Sequence, residues 1–98
     1  MKIIKISKDV YSDLESIYKW IAQDSPINAG RFTRALLQEI NALNKLDTPG
    51  VAKDQLLPGL RRVNFKGYAI FIRLPDDDTI EVVQVIYGGR DIPAHIRT

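Results

Sequence analysis

The last third of the chain limits the fold more than any other part. Leu60-Arg61-Arg62-Val63-Asn64-Phe65, Ala69-Ile70-Phe71-Ile72-Arg73-Leu74 and Thr79-Ile80-Glu81-Val82-Val83-Gln84-Val85-Ile86-Tyr87 are three consecutive strand-like runs. Lys66-Gly67-Tyr68 and Pro75-Asp76-Asp77-Asp78 join them, and Gly88-Gly89-Arg90-Asp91-Ile92-Pro93 closes the series. Each join is too short for a crossover helix, so the runs read as an antiparallel meander. Thr79 to Tyr87 is the most apolar on both faces, with Ile80, Val82 and Ile86 opposite Val83, Val85 and Tyr87. A strand of that kind needs cover on both faces and belongs inside the sheet.

The first half is helical. Met1 to Ser7 reads as a short strand with an apolar bias, and Ser7 suits a helix cap with Asp9 in the first turn. Val10, Leu14, Ile17, Tyr18 and Ile21 then mark one face of a helix. Ser25-Pro26 restarts the pattern as cap and first helical residue. Ala29, Phe32, Leu36, Ile40, Leu43 and Leu46 form the second apolar stripe. Two such helices with a short join form an antiparallel hairpin. The expected architecture is α+β: an N-terminal strand, a helical hairpin, then a three-stranded meander, giving one four-stranded sheet.

Ninety-eight residues make one domain, 1–98, large enough for a single core without staples. The 45% hydrophobic and 27% charged content is that of globular material. There is no cysteine, which rules out disulfides and thiolate zinc sites and points to a reducing cytoplasm. No apolar run approaches the roughly 20 residues of a membrane span, and no signal-peptide stretch opens the sequence. Net charge is only +2, and each half holds seven Lys/Arg against six Asp/Glu. Composition therefore gives nucleic-acid binding little support.

The one long connection, Asp47 to Gly59, is bracketed by Pro49-Gly50 and Pro58-Gly59 and reads as a loop or one helical turn, with Leu56 and Leu57 pinned to the core. Arg61 and Arg62 point to opposite faces on a strand, so only one can share a surface with Arg73 or Arg90. Either could simply pair with Asp54 or Glu81. Arg90-Asp91 is open between a functional turn and one closed by its own ion pair. Asp76-Asp77-Asp78 lacks calcium-loop spacing and reads as a solvated hairpin turn. Trp20 lies on the flank of its stripe, a placement that favours the core over a partner surface.

In order and at this spacing, the pieces resemble the ParE branch of the RelE/ParE toxin superfamily. They are Leu57-Pro58-Gly59-Leu60-Arg61-Arg62, Tyr68 leading into Ile70-Phe71-Ile72-Arg73, and Ile80 to Tyr87 running into Gly89-Arg90-Asp91-Ile92. Tyr87-Gly88 stands where related chains often carry His-Gly, and Val51-Ala52-Lys53 is less basic than the loop expected there. The resemblance implies a toxin held inactive by a ParD-like ribbon-helix-helix antitoxin, in a complex where the toxin can dimerise and only the antitoxin touches DNA. It implies DNA gyrase as the target, whereas RelE relatives cut mRNA on the ribosome. A non-toxic interaction module with the same fold is the third possibility.

Catalysis needs a proton acceptor, a proton donor and cations for the phosphate. Arginines supply only the last. The single histidine, His95, falls in a tail from about 91 to 98 that reads as loose, and Tyr68 and Tyr87 ordinarily titrate near 10. No catalytic residue, metal or cofactor is therefore expected. Target binding is expected at Arg61, Arg73, Arg90 and Asp91, with the tail as a second contact. Antitoxin binding is expected at Tyr11, Tyr18 and Trp20.

Overall fold

The computed structural model describes residues 2–97. Its elements are β1 (Ile3–Ile6), α1 (Lys8–Ala22), α2 (Pro26–Ala42), β2 (Val51–Ala52), β3 (Arg61–Phe65), β4 (Tyr68–Asp76), β5 (Thr79–Tyr87) and α3 (Ile92–His95). A 3₁₀ turn, Leu43–Lys45, extends α2. Both helices start where their caps require. Ser7 Oγ accepts from the Val10 N–H and Ser25 Oγ from the Asn28 N–H, with Pro26 in the first turn.

The sheet has five strands in the order β1-β5-β4-β3-β2, one more than expected. The addition is β2, a two-residue strand that pairs Val51 with Arg62 and Ala52 with Arg61. It forms inside the connection read from sequence as a loop or helical turn. β5 lies between β1 and β4, as its two-sided apolarity requires. β1 runs parallel to β5, and the α1–α2 hairpin provides the crossover.

Each face of the sheet has its own core. Under the helices, Val10, Leu14, Ile17, Leu36 and Ile40 meet Ile70, Ile72, Ile80, Val82 and Val85. On the other face Leu60, Ala69, Phe71, Ile86 and Ile92 form a second cluster, with Leu56, Leu57, Val83 and Ile96 packed against it. Irregular chain on both sides of the meander therefore supplies the cover that the helices cannot.

The faces of β5 do not alternate simply. Phe71 pairs with Gln84 and Ile72 with Val82, so Val83 is an extra residue on β5. A bulge of this kind reverses the phase of every later side chain. Val85 thus joins Ile80 and Val82 under the helices, while Ile86 turns to the second core. The simple alternation expected from sequence grouped Ile86 with Ile80 and Val82, and the bulge corrects it.

Two further expectations change. Trp20 is 68% exposed rather than in the core, and Leu46, the last residue of its stripe, is 52% exposed because the 3₁₀ turn carries it off the helix. Of the segment 91–98 read as a loose tail, residues 91–97 are docked, and Thr98 lies outside the described residues. Ile92 is buried in the second core, Gln84 Nε2 donates to the His95 carbonyl, and the Arg97 N–H donates to Gln84 Oε1.

Candidate functional site

A cleft of about 580 Å³ opens between α1 and the second half of β5. It exists because β1 is short. β1 pairs only with Thr79–Val82, so β5 beyond Val82 has no strand on that edge. Asp13 and Arg97 close part of the gap. Asp13 Oδ2 accepts from the Val85 N–H at 3.0 Å, and Arg97 binds Asp13 through two hydrogen bonds of 2.9 and 2.8 Å. Arg97 also donates to the carbonyl of the bulge residue Val83 at 2.9 Å. The Asp13 carboxylate holds the Arg97 guanidinium above its ordinary pKa. These contacts satisfy edge groups and leave the rest of the cleft open.

Asp13, Ser16, Ile17 and Trp20 line one wall, at helical spacings of three, one and three. Tyr68, Tyr87, Arg90 and His95 line the rest with the strand itself. Tyr68 and Tyr87 face each other across β4 and β5, their rings edge to face with centroids 5.5 Å apart. Phe32 of α2 backs Tyr68 at 5.2 Å and Phe65 at 6.1 Å, so an aromatic chain runs from the helix-side core to the cleft. Burial pushes the Tyr68 hydroxyl above its ordinary pKa, the neighbouring Tyr87 adds to that, and Arg90 opposes it.

Two glycines shape the cleft mouth. A Cβ on Gly88 would stand 2.8 Å from the Gly67 carbonyl oxygen, the atom that accepts from the Gly88 N–H. A Cβ on Gly89 would stand 2.5 Å from the Tyr87 ring. Gly88 lets two turns touch, and Gly89 gives the tyrosine ring somewhere to lie. The Lys66-Gly67 turn therefore sits against Gly88, and the Arg62 guanidinium lies beside it.

Charge is polarised along the sheet. Lys66, Arg62 and Arg90 gather at this end, and the Asp76-Asp77-Asp78 turn occupies the other end of β4. Nine residues of strand separate the two ends by roughly 25–30 Å. The acidic end is turn chemistry: Asp76 accepts from the Asp78 N–H, which lowers its pKa.

The arginines expected to act together are not brought together. Arg61 lies on the helix side of the sheet edge and donates to the Pro49 and Gly50 carbonyls, where it fastens the β2 connection. Arg73 lies on the opposite face, across from Glu81, and its Nε is buried without a hydrogen-bond partner. Arg62, not Arg61, is the arginine that shares a face with Arg73, and it bonds Asn64 and stacks over Phe71. Neither Arg61 nor Arg62 pairs with Asp54 or Glu81; Asp54 instead accepts from the Gly59 N–H. Among the described residues no ion pair joins Arg90 to Asp91. Arg90 alone of the expected set lines the cleft; Asp91, the next residue, is the N-cap of α3.

Tyr11 and Tyr18 are exposed along α1, and Trp20 turns toward the cleft. Sequence reasoning passed over Tyr68 and Tyr87 as weak bases and so missed them as cleft walls. Their places at facing ends of adjacent strands were the available signal.

Residues 4–92 match the family described as ParE toxin of type II toxin-antitoxin system, parDE. The chain belongs to this family. A solved structure of a chromosomal ParDE TA system from P. aeruginosa has the same fold, with a TM-score of 0.75 at 17% identity, covering 89% of this chain and 96% of that one. The YoeB-YefM complex from Staphylococcus aureus aligns over 89% of this chain and 97% of its own at 21% identity, with a TM-score of 0.44 that is too low to carry weight. No curated protein sequence matches. No helix among the described residues of this ParE-family chain is long and apolar enough to cross a membrane.

Proposed function

We propose that the chain arrests growth in the cytoplasm by binding and inhibiting DNA gyrase, and that a ParD-like ribbon-helix-helix antitoxin neutralises it. Family membership supports the toxin role, and the cleft supports action by binding. The observation that carries the reading is the proton inventory of the cleft. Its carboxylate, Asp13, is held by Arg97 and the Val85 N–H, and its half-buried Tyr68 is shifted further from serving as a base at neutral pH. That leaves His95 as the one remaining proton acceptor among the described lining residues. Arg90 and the exposed Tyr87 are free to contact a protein or nucleic-acid surface. Tyr11 and Tyr18, on the outer surface of α1, and Trp20 at the cleft wall are the proposed antitoxin contacts.

His95 favours one alternative. Its Nδ1 lies 2.8 Å from the Asp91 carbonyl, and because that oxygen only accepts, Nδ1 carries a proton, which in the neutral tautomer makes Nε2 the acceptor. An ordered histidine beside Tyr87 and Arg90 is what ribosome-dependent mRNA cleavage would use.

Purified chain added to supercoiling gyrase decides between the two. Stalled supercoiling with cleaved DNA complexes, lost in Arg90→Ala and retained in His95→Ala, is the expected result. Unimpaired gyrase together with mRNA cut at the ribosome would replace it with the nuclease reading.

A further inference from the structure

We infer that the cleft between α1 and β5 binds one unpaired nucleotide, its base stacked on Tyr87 and Trp20 and its phosphate held by Arg90. The inference rests on the proposed action by binding, and it gives the chain a nucleic-acid contact of its own.

Three observations converge on this ligand. Tyr87 and Trp20 are 53% and 68% exposed at the cleft, although burial is the normal state of such large rings, and both offer a stacking surface. Tyr87 is also held in place, with Tyr68 against its ring on one side and Gly89 beneath it. A fixed ring loses little freedom when a base stacks on it.

The second observation is cationic. Arg90 has no carboxylate partner among the described residues, and the Lys66-Gly67 turn meets the chain two residues before it. Among the described residues the one acidic group lining the cleft, Asp13, is already bound by Arg97, so it does not repel an anion as a free carboxylate would. A planar guanidinium beside aromatic rings suits both phosphate and stacked base.

The third is polar selectivity and size. The Ser16 hydroxyl lines the wall opposite the strand and can meet a base edge, and 580 Å³ lies in the range of sites that enclose small ligands. The bases of a duplex are already stacked on one another, so a base that stacks on these rings belongs to an unpaired nucleotide. Single-stranded DNA and single-stranded RNA share this chemistry.

Trp20 is the only tryptophan, so its fluorescence reports on the cleft directly. Titrating the purified full chain with a dT decamer and an rU decamer should give saturable quenching with at least one, and that one identifies the source. Duplex of the same length should quench far less. Tyr87→Ala and Arg90→Ala should each weaken binding about tenfold, since one stacked base and one phosphate contact are each of that order. Arg90→Lys should keep the salt dependence that Arg90→Ala flattens. Arg61→Ala, outside the cleft, should change nothing. Anisotropy of labelled decamers checks the same variants without relying on Trp20. Absence of binding to either decamer in both assays, or binding indifferent to Tyr87 and Arg90, overturns the inference. Growth arrest and gyrase inhibition that persist beside such a result would leave the proposed function standing, whereas oligonucleotide binding without either effect would remove that function alone.

Discussion

The two faces of the sheet are covered by opposite kinds of chain. On one, a capped helical hairpin lays periodic apolar stripes over Ile70, Ile72, Ile80 and Val82. On the other, residues of the 53–60 connection and the segment after β5 cover Phe71 and Ile86 with few side chains and several hydrogen bonds. Regular cover stabilises through volume, because every turn of helix adds buried methyl groups. Irregular cover depends on individual contacts, because it has no repeating face to bury. The cleft opens where the two kinds meet, at the β5 edge left uncovered by β1 and partly stapled by Asp13 and Arg97.

The largest test of this contrast is a pair of core truncations. Leu36 is fully buried under the helices, and Leu36→Ala should cost about 2–5 kcal/mol in urea unfolding of the whole chain. Ile92→Ala should instead release the tail, raising amide exchange after residue 90 while costing the global transition less than half as much. Equal global losses would mean that the tail is as integral as the helices.

Gly88→Ala comes next. The new methyl would meet the Gly67 backbone oxygen at 2.8 Å, so the two turns must part, at a cost of about 1–3 kcal/mol. A neutral outcome in thermal unfolding would show that the cleft mouth yields easily.

The Asp13–Arg97 staple should be asymmetric. Asp13→Ala leaves the Val85 N–H without its acceptor and should cost about 1–3 kcal/mol. Arg97→Ala leaves that hydrogen bond intact and should cost about 0.5–1 kcal/mol. A larger loss from Arg97→Ala would move the weight of the staple to the Val83 carbonyl.

The smallest effect is a pH dependence. Burial raises the Tyr68 pKa above 10.0, so above that value the unfolded chain releases its proton first. Stability from this group is fully present below pH 10.0 and falls as pH rises through the folded pKa. Tyr68→Phe should remove that decline and the last-titrating tyrosine signal in absorbance. An unchanged alkaline profile would locate the buried phenol elsewhere.

What could be read in advance follows the same division. The helices, their caps and the inner position of β5 were legible because repeated apolar spacing and the Ser7 and Ser25 caps declare themselves locally. The bulge was not, since Val82-Val83 looks identical whether or not one valine is extra. β2 is two residues long, too short for any period. Docking of the tail depends on the Gln84 amide and on backbone carbonyls, which leave no mark in composition. Arg90 lines the candidate cleft because it follows closely on the end of β5. Arg61 and Arg73 were grouped with it on charge alone, and strand geometry put them elsewhere.

Joining β1 to β5 also sets an order in time. Ile3 pairs with Thr79, and Asp13 waits for Arg97. At about 5–20 residues per second of synthesis, the helical hairpin is complete several seconds before any strand of the meander can cover it. Throughout that interval Leu14, Ile17, Leu36 and Ile40 face water, and the hairpin's inner surface is open to whatever apolar segment arrives first. The nascent chain is thus most easily captured before it has finished becoming the protein described above.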